Sequence, residues 1–175
     1  MGRRGLAHPG AINMPDTLQD RALGLTTAVV GKTYSTPLLT PPGIGTGAAY
    51  ADLEALGLHF SFEVPKSGVI QSAIYYDLDD EGLQVDLWLL SDAPTTQTDN
   101  GALAFIDHDL VKVITRIQFM SFADAGNGQF AESKAIGKAY VQPNRRMWAQ
   151  CQARGALNIA AGNLPQFRID FLSDE

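Results

Sequence analysis

The 175-residue chain has one cysteine and three histidines. A single thiol, Cys151, excludes an intramolecular disulfide framework and any multi-cysteine zinc site, so stability must come from packing. No apolar run approaches the roughly 18 residues of a membrane span, because Asp, Gln or Gly interrupts each one. A membrane-spanning helix is therefore excluded, and no membrane partner is expected. Bases are also scarce: 13 Lys and Arg against 19 Asp and Glu give a formal net charge of −6. A sequence-independent nucleic-acid binder needs clustered base to displace counterions from phosphates, so no nucleic-acid partner is expected either. Met1 to Gly5 is basic, but His8, Pro9 and Asn13 stand where a signal peptide needs its apolar core. No secretory signal is expected.

What is present divides unevenly along the chain. In residues 1–48, Pro9, Pro15, Pro37, Pro41 and Pro42 combine with Gly43, Gly45 and Gly47 to punctuate every regular element. This stretch reads as an extended N-terminal arm. Arg3, Arg4, Arg21 and Lys32 outnumber Asp16 and Asp20, so a mildly basic arm precedes an acidic body. Short helices are conceivable at Asp16 to Leu25 and Tyr50 to Leu56, both below the length at which a helix stands alone.

From Leu58 onward the period is two. Phe60, Phe62 and Val64 share one face of a strand that Pro65 closes. Val69 to Leu78 and Leu83 to Leu90 flank Asp79-Asp80-Glu81-Gly82, and together they read as a β-hairpin with Leu83, Val85, Leu87 and Leu89 toward the core. Further strands are predicted at Leu110 to Phe119, Ala135 to Val141, Met147 to Ala153 and Phe167 to Leu172. A helix over Asp109 to Ile117 competes with the first of these, because Leu110, Val113, Ile114 and Ile117 also fit a 3.6 period. The fold class predicted is mainly β: an antiparallel, jelly-roll-like β-sandwich over residues 49–175 behind the arm of 1–48.

Motifs for chemistry are thin. Asp77 to Gly82 begins like a calcium loop, but Trp88 stands where the twelfth-position Glu belongs and strands flank it, so it reads as an acidic turn. Gly43-Ile44-Gly45-Thr46-Gly47 follows a Pro-rich segment and precedes no Lys, which favours a linker over a phosphate cradle. Asp107-His108-Asp109 sets an imidazole between carboxylates without a second nearby His, and reads as a polar turn. Cys151 alternates with Ala149 and Ala153 on an inward face, as a buried thiol does, and no Gly-x-Ser-x-Gly elbow occurs. No catalytic residue, cofactor or metal ligand is expected. Charge is segregated instead: nine acids and no base lie between Ser67 and Val111, and eight bases face two acids from Lys112 to Arg168. Either acidic and basic strands pair within the fold, or opposed patches serve subunit contacts.

Several strings together carry a resemblance: Tyr50-Ala51-Asp52-Leu53-Glu54-Ala55-Leu56-Gly57, Ser67-Gly68-Val69-Ile70-Gln71-Ser72-Ala73, Asp86-Leu87-Trp88-Leu89-Leu90-Ser91-Asp92-Ala93-Pro94, Asp99-Asn100-Gly101-Ala102, Asp107-His108-Asp109-Leu110 and Ala153-Arg154-Gly155. In this order and spacing they make residues 50–175 resemble tailed-bacteriophage virion structural proteins of β-sandwich character. The chain departs from that pattern at Leu89-Leu90-Ser91-Asp92, where the family has an aliphatic residue followed by Phe-Asp-Ser. The resemblance implies a non-enzymatic capsid decoration or cement protein on the phage head surface, assembled in the bacterial host cytoplasm. Its implied partners are the major capsid protein and two further copies in a homotrimer. Arg3, Arg4, Leu38, Leu39, Ile44, Arg145 and Arg146 are the interface residues expected on that reading. The alternative is a carbohydrate- or receptor-binding module of a tail fibre or baseplate, built on exposed rings among Tyr75, Tyr76, Trp88, Tyr140 and Trp148, with Tyr76 and Trp88 flanking one hairpin.

Overall fold

Alternation with period two shapes the last strand of the chain. In a computed structural model, residues 31–47, 49–82, 84–160 and 162–173 are described. Gln166–Ser173 alternates without a break, with Phe167, Ile169 and Phe171 fully buried. Each such ring or branched chain contributes about 1.5–3 kcal/mol by leaving water.

The strands are β1 (Lys32–Ser35), β2 (Ala49–Tyr50), β3 (Ala55–Glu63), β4 (Ser67–Asp77), β5 (Val85–Leu90), β6 (Val113–Phe119), β7 (Phe122–Asp124), β8 (Gln129–Ser133), β9 (Lys138–Val141), β10 (Arg146–Ala153), β11 (Leu157–Asn158) and β12 (Gln166–Ser173), with one short helix, α1 (Asp107–Leu110), before β6. One sheet runs β1-β12-β4-β8-β7, with β9 on β4 beside β8; the other runs β3-β10-β5-β6, and β2 pairs β11 apart from both. Every pairing between these strands is antiparallel. Because β8 and β9 cover successive stretches of β4, they count as one interrupted strand. Of the resulting eight long strands, the first, last, third and sixth form one sheet, and the second, seventh, fourth and fifth the other. That is the jelly-roll order, so the sandwich expected from the sequence is the fold observed.

The inner faces meet in an aromatic and aliphatic core. Tyr75 of β4 stacks on Phe167 of β12 at 5.1 Å between centroids and meets Phe119 of β6 at 5.7 Å, which ties the sheets together. Of the expected core residues Leu83, Val85, Leu87 and Leu89, the last three point inward, as their spacing predicts, and Leu83 lies outside the described residues; Cys151 is fully buried between Ala149 and Ala153.

Several expectations are corrected. The Val69–Leu90 hairpin does not form: β4 and β5 lie in different sheets, and residues 78–84 arch between them. Both strands are apolar on one face, and placing them in facing sheets buries both faces in one core; Tyr76 and Trp88 thus sit on separate sheets. Tyr50 to Leu56 is not a helix: Tyr50 pairs with Leu157, Leu53 takes φ 68°, and β3 begins at Ala55. Leu110 to Phe119 divides, with Leu110 closing α1 and the strand starting at Val113. The Pro/Gly-rich stretch belongs to the sandwich from residue 31 to 47. β1 pairs with β12, and Leu39 exchanges two backbone hydrogen bonds with Phe167, of 2.8 and 2.9 Å. Thr36 explains how the ladder survives Pro37: its backbone N–H donates to the Ile169 carbonyl and its Oγ1 accepts from Ile169 N, each at 3.0 Å. Residues 1–30, which include the helix expected at Asp16 to Leu25, lie outside the described residues.

Candidate functional site

The topology gives the sandwich two ends. Loops 64–66 and 142–145 lie at one, with Val64 N donating to the Arg145 carbonyl; the segment 91–112 leaves β5 and enters β6 there, beside Leu90 paired with Trp148 and Val113, while its residues 99–103 run back to the other end and bond Leu53 and Ala55. At the other gather residues 36–47, 49–54, 78–82, 120–128, 154–160 and 162–165: Gly47 N donates to the Ile159 carbonyl and Ala160 N to Asp79. The expected interface residues are not brought together. Arg3 and Arg4 lie outside the described residues. Arg145 and Arg146 are exposed at the first end, in a turn where Arg145 takes φ 56°. Leu38 is exposed, while Leu39 and Ile44 pack half-buried against the core toward the second end. A groove beside Arg145 is lined by Lys32, Tyr34, Glu63 and Pro65, where the described chain begins.

The acidic motifs serve the fold. The Asp77 carboxylate is buried and accepts from Asp79 N at 3.1 Å and Gly82 N at 2.8 Å, closing the arch between the sheets. Asp79 accepts from Ala160 N at 2.6 Å and Asn163 Nδ2 at 3.2 Å, and Glu81 from Asn158 N at 3.3 Å. These carboxylates thus hold loop 154–165 by its amides. Among the described residues no three His, Cys, Asp or Glu side chains converge as metal ligands.

Asp107-His108-Asp109 forms the turn of α1. Asp109 is fully buried, lies 3.0 Å from Lys112 Nζ and accepts from Thr95 N at 3.1 Å. Burial alone would push its carboxyl up; the Lys112 and Thr95 donors outweigh that and hold it below the usual carboxylate range. Lys112 Nζ also donates to the Ala93 carbonyl at 2.6 Å, so the turn is pinned from beneath. On this base Ile106, Leu110 and Val111 are exposed, Val111 to 81%, and Val141 is exposed to 70% beside loop 142–145. The sequence reading missed these aliphatics because it assigned Leu110 to a strand face.

The charge segregation resolves only in part as pairing: among the described residues, Asp86 and Asp109 of the acidic stretch meet bases of the basic one. Asp86 of acidic β5 is buried, 2.7 Å from Arg154 Nε and 3.7 Å from Arg116 Nη1 of basic β6. Arg116 also lies over the Trp88 ring, 5.3 Å from its centroid, and Trp88 Nε1 donates to Gln152 Oε1 at 3.1 Å. Asp99, noted in the sequence for its charge and as the start of Asp99-Asn100-Gly101-Ala102, collects three donors: Tyr50 Oη at 2.9 Å, Gly45 N at 2.9 Å and Gly57 N at 2.7 Å. The Gly43–Gly47 segment is therefore clasped to the body and no open phosphate cradle. Burial first, then the bond to Asp99, push the Tyr50 hydroxyl well above its ordinary value.

The candidate sugar-stacking rings are mostly committed inward. Tyr75 and Tyr140 are buried, and Tyr76, Trp88 and Trp148 are half-buried, with Trp88 edge-on to Phe105 and Trp148 against His59. Burial also pushes the Tyr75 hydroxyl and the Cys151 thiol up, so this thiol is a poor nucleophile.

No family model and no curated protein match the chain. Among solved structures it is similar to a chain of the Israeli acute paralysis virus full particle heated to 63 degrees, at 10% identity and a TM-score of 0.32, covering 94% of this chain and 83% of that one. It is likewise similar to a chain of the native Kashmir bee virus virion at neutral pH, at 11% identity and a TM-score of 0.32, covering 95% and 82%. The jelly-roll assignment rests on this chain's own strand pairing.

Proposed function

We propose that this chain is a non-enzymatic virion structural protein: a capsid decoration or cement protein that binds the outer shell of a phage head, with the major capsid protein as partner, and assembles as a homotrimer. The observation that carries the reading is the exposed aliphatic group Ile106, Leu110 and Val111 on a turn pinned by the buried Asp109–Lys112 pair. Exposed apolar residues on a rigid base, rimmed by polar ones, suit protein contact. The acidic loops meanwhile spend their carboxylates on backbone amides, which leaves a contact surface as the feature to explain. The sugar-module alternative needs at least two open rings along a groove, and its five candidates are buried or half-buried.

The test is light scattering coupled to size exclusion, with the full chain alone and mixed with purified phage heads, beside Val111→Asp and Leu110→Asp. Both positions are exposed, so each variant should keep wild-type stability within about 0.5 kcal/mol. Co-elution of the wild type with heads, weakened at least tenfold in the variants, supports the reading. A wild type indifferent to heads overturns it, and a glycan screen then takes precedence.

A further inference from the structure

The two long sides of the sandwich differ. On one, β1 and β3 are tied by Tyr34 Oη donating to the Glu63 carbonyl at 3.2 Å. On the other, among the described residues, β6 ends its sheet with β5 as its partner, and β7 covers β8 only at residues 129–131, leaving Glu132 and Ser133 beyond its reach. Between them runs a groove of about 530 Å³ lined by Thr115, Arg116, Ile117, Gln118, Met120 and Ile136, among others. Among the described residues, this seven-residue edge strand without Pro or Lys presents a row of backbone donors and acceptors that no neighbouring strand pairs, an edge that natural sheets ordinarily cover or blunt. Arg116, the one charge on β6, is drawn over Trp88 and toward Asp86.

We propose that this groove is a strand acceptor, and that Leu25–Val30 of a second copy of this chain adds to the open edge of β6. The segment Leu25-Thr26-Thr27-Ala28-Val29-Val30 is bounded by Gly24 and Gly31, has no Pro or charge, and is dominated by β-branched residues. Six residues span about 20 Å as a strand, nearly the length of β6. It lies outside the described residues and runs directly into β1, which edges the opposite side of the sandwich from the groove. A donor on one side and an acceptor on the other make a heterologous contact, the kind that closes into a ring when the rotation permits. Pairing by main-chain hydrogen bonds needs no matched side-chain chemistry, in keeping with a mostly polar groove. The inference deepens the trimer reading and rests on it for the ring, whereas head binding is a separate property.

The test uses full-length single variants, so that any cross-link is between copies. Thr27→Cys is mixed with Thr115→Cys, and for the alternative register with Gln118→Cys, under mild oxidation; native Cys151 is buried and does not compete. The expected result is a species of twice the 18.8 kDa chain mass in at least one mixture, absent when either variant is oxidised with wild type. In parallel, Thr27→Pro/Val29→Pro should reduce the scattering mass of the oligomer to that of one chain while leaving the far-ultraviolet β spectrum unchanged. No cross-link together with an unchanged oligomer in the proline variant overturns strand addition, as does a wild type that is monomeric at all concentrations. Head binding by such a monomer would leave the decoration reading standing without it.

Discussion

Removing the Asp99 carboxylate should cost more than removing any other exposed or half-exposed acid among the described residues. The side chain ties residue 99 to three points on the distant stretch 45–57, accepting from Tyr50 Oη, Gly45 N and Gly57 N at 2.7–2.9 Å. A hydrogen bond to a charged acceptor contributes about 1.5–3 kcal/mol, and partial solvent access lowers that here to about 1–1.5 kcal/mol per donor. Asp99→Ala should therefore destabilise by roughly 3–4.5 kcal/mol, a large share of the ~5–15 kcal/mol that holds a domain together. At about 2–4 °C per kcal/mol for a chain of this size, Tm should fall by roughly 6–18 °C. The assay is thermal unfolding followed by circular dichroism and calorimetry on the wild type, Asp99→Ala, Asp99→Asn, Tyr50→Phe and the Tyr50→Phe/Asp99→Asn double variant. Asn keeps the shape and one acceptor, so it should lose about half as much, and the cycle should show a coupling of about 1 kcal/mol. A Tm drop below about 3 °C for Asp99→Ala, or strict additivity in the cycle, would refute the clasp.

Gly57→Ala should destabilise by about 2 kcal/mol or more, because φ 71° is left-handed and a Cβ would lie 2.7 Å from the Pro42 carbonyl oxygen; a urea midpoint equal to wild type counts against it. Tyr50 and Tyr75 should stay protonated at pH 11 in the folded state while the unfolded chain titrates near 10, so stability is intact below pH 10 and declines above it. Tyrosinate absorbance on folded and unfolded protein checks this, with Tyr50→Phe and Tyr75→Phe each removing one late step; a complete native titration by pH 11 defeats it. Asp109, whose carboxyl is held below its ordinary 3.8, contributes stability that is present above that value and lost as pH falls through its lowered one. Asp109→Asn should accordingly be less stable than wild type at pH 7, with the gap closing below about pH 4; a gap constant in urea midpoints from pH 7 to pH 2.5 would count against the pair.

The sequence by itself determined that this is a β protein and which faces of its strands turn inward. In Gln166–Ser173, Phe167, Ile169 and Phe171 alternate with polar residues, as a pleated strand with one buried face requires, whereas in Ser67–Asp77 the buried Ile70 and Ala73 lie three apart, where the pairing with Gln166–Ser173 shifts register. The same alternation also placed Cys151 inside. It says nothing about which strand neighbours which, since a strand paired in a hairpin and one crossing to the facing sheet bury identical faces; hence β4 and β5 read as a hairpin and fold as an arch. The short β7 and β8 escaped notice because three and five residues around Ala125-Gly126-Asn127-Gly128 show too few periods. Helix propensity at Tyr50 to Leu56 yielded to tertiary demands, with Tyr50 drawn to Asp99 and Leu56 to the core. The Pro/Gly-rich start looked like an arm throughout because composition records local conformational freedom, while Thr36 and Leu39 are held by partners more than 120 residues away. Charge counts likewise could not separate pairing from patches. Only the sheet order, which sets Asp86 between Arg116 and Arg154, and the buried base beneath Ile106, Leu110 and Val111 decided which charges are consumed inside the fold and which apolar surface is left for a partner, because both depend on strands meeting across the core.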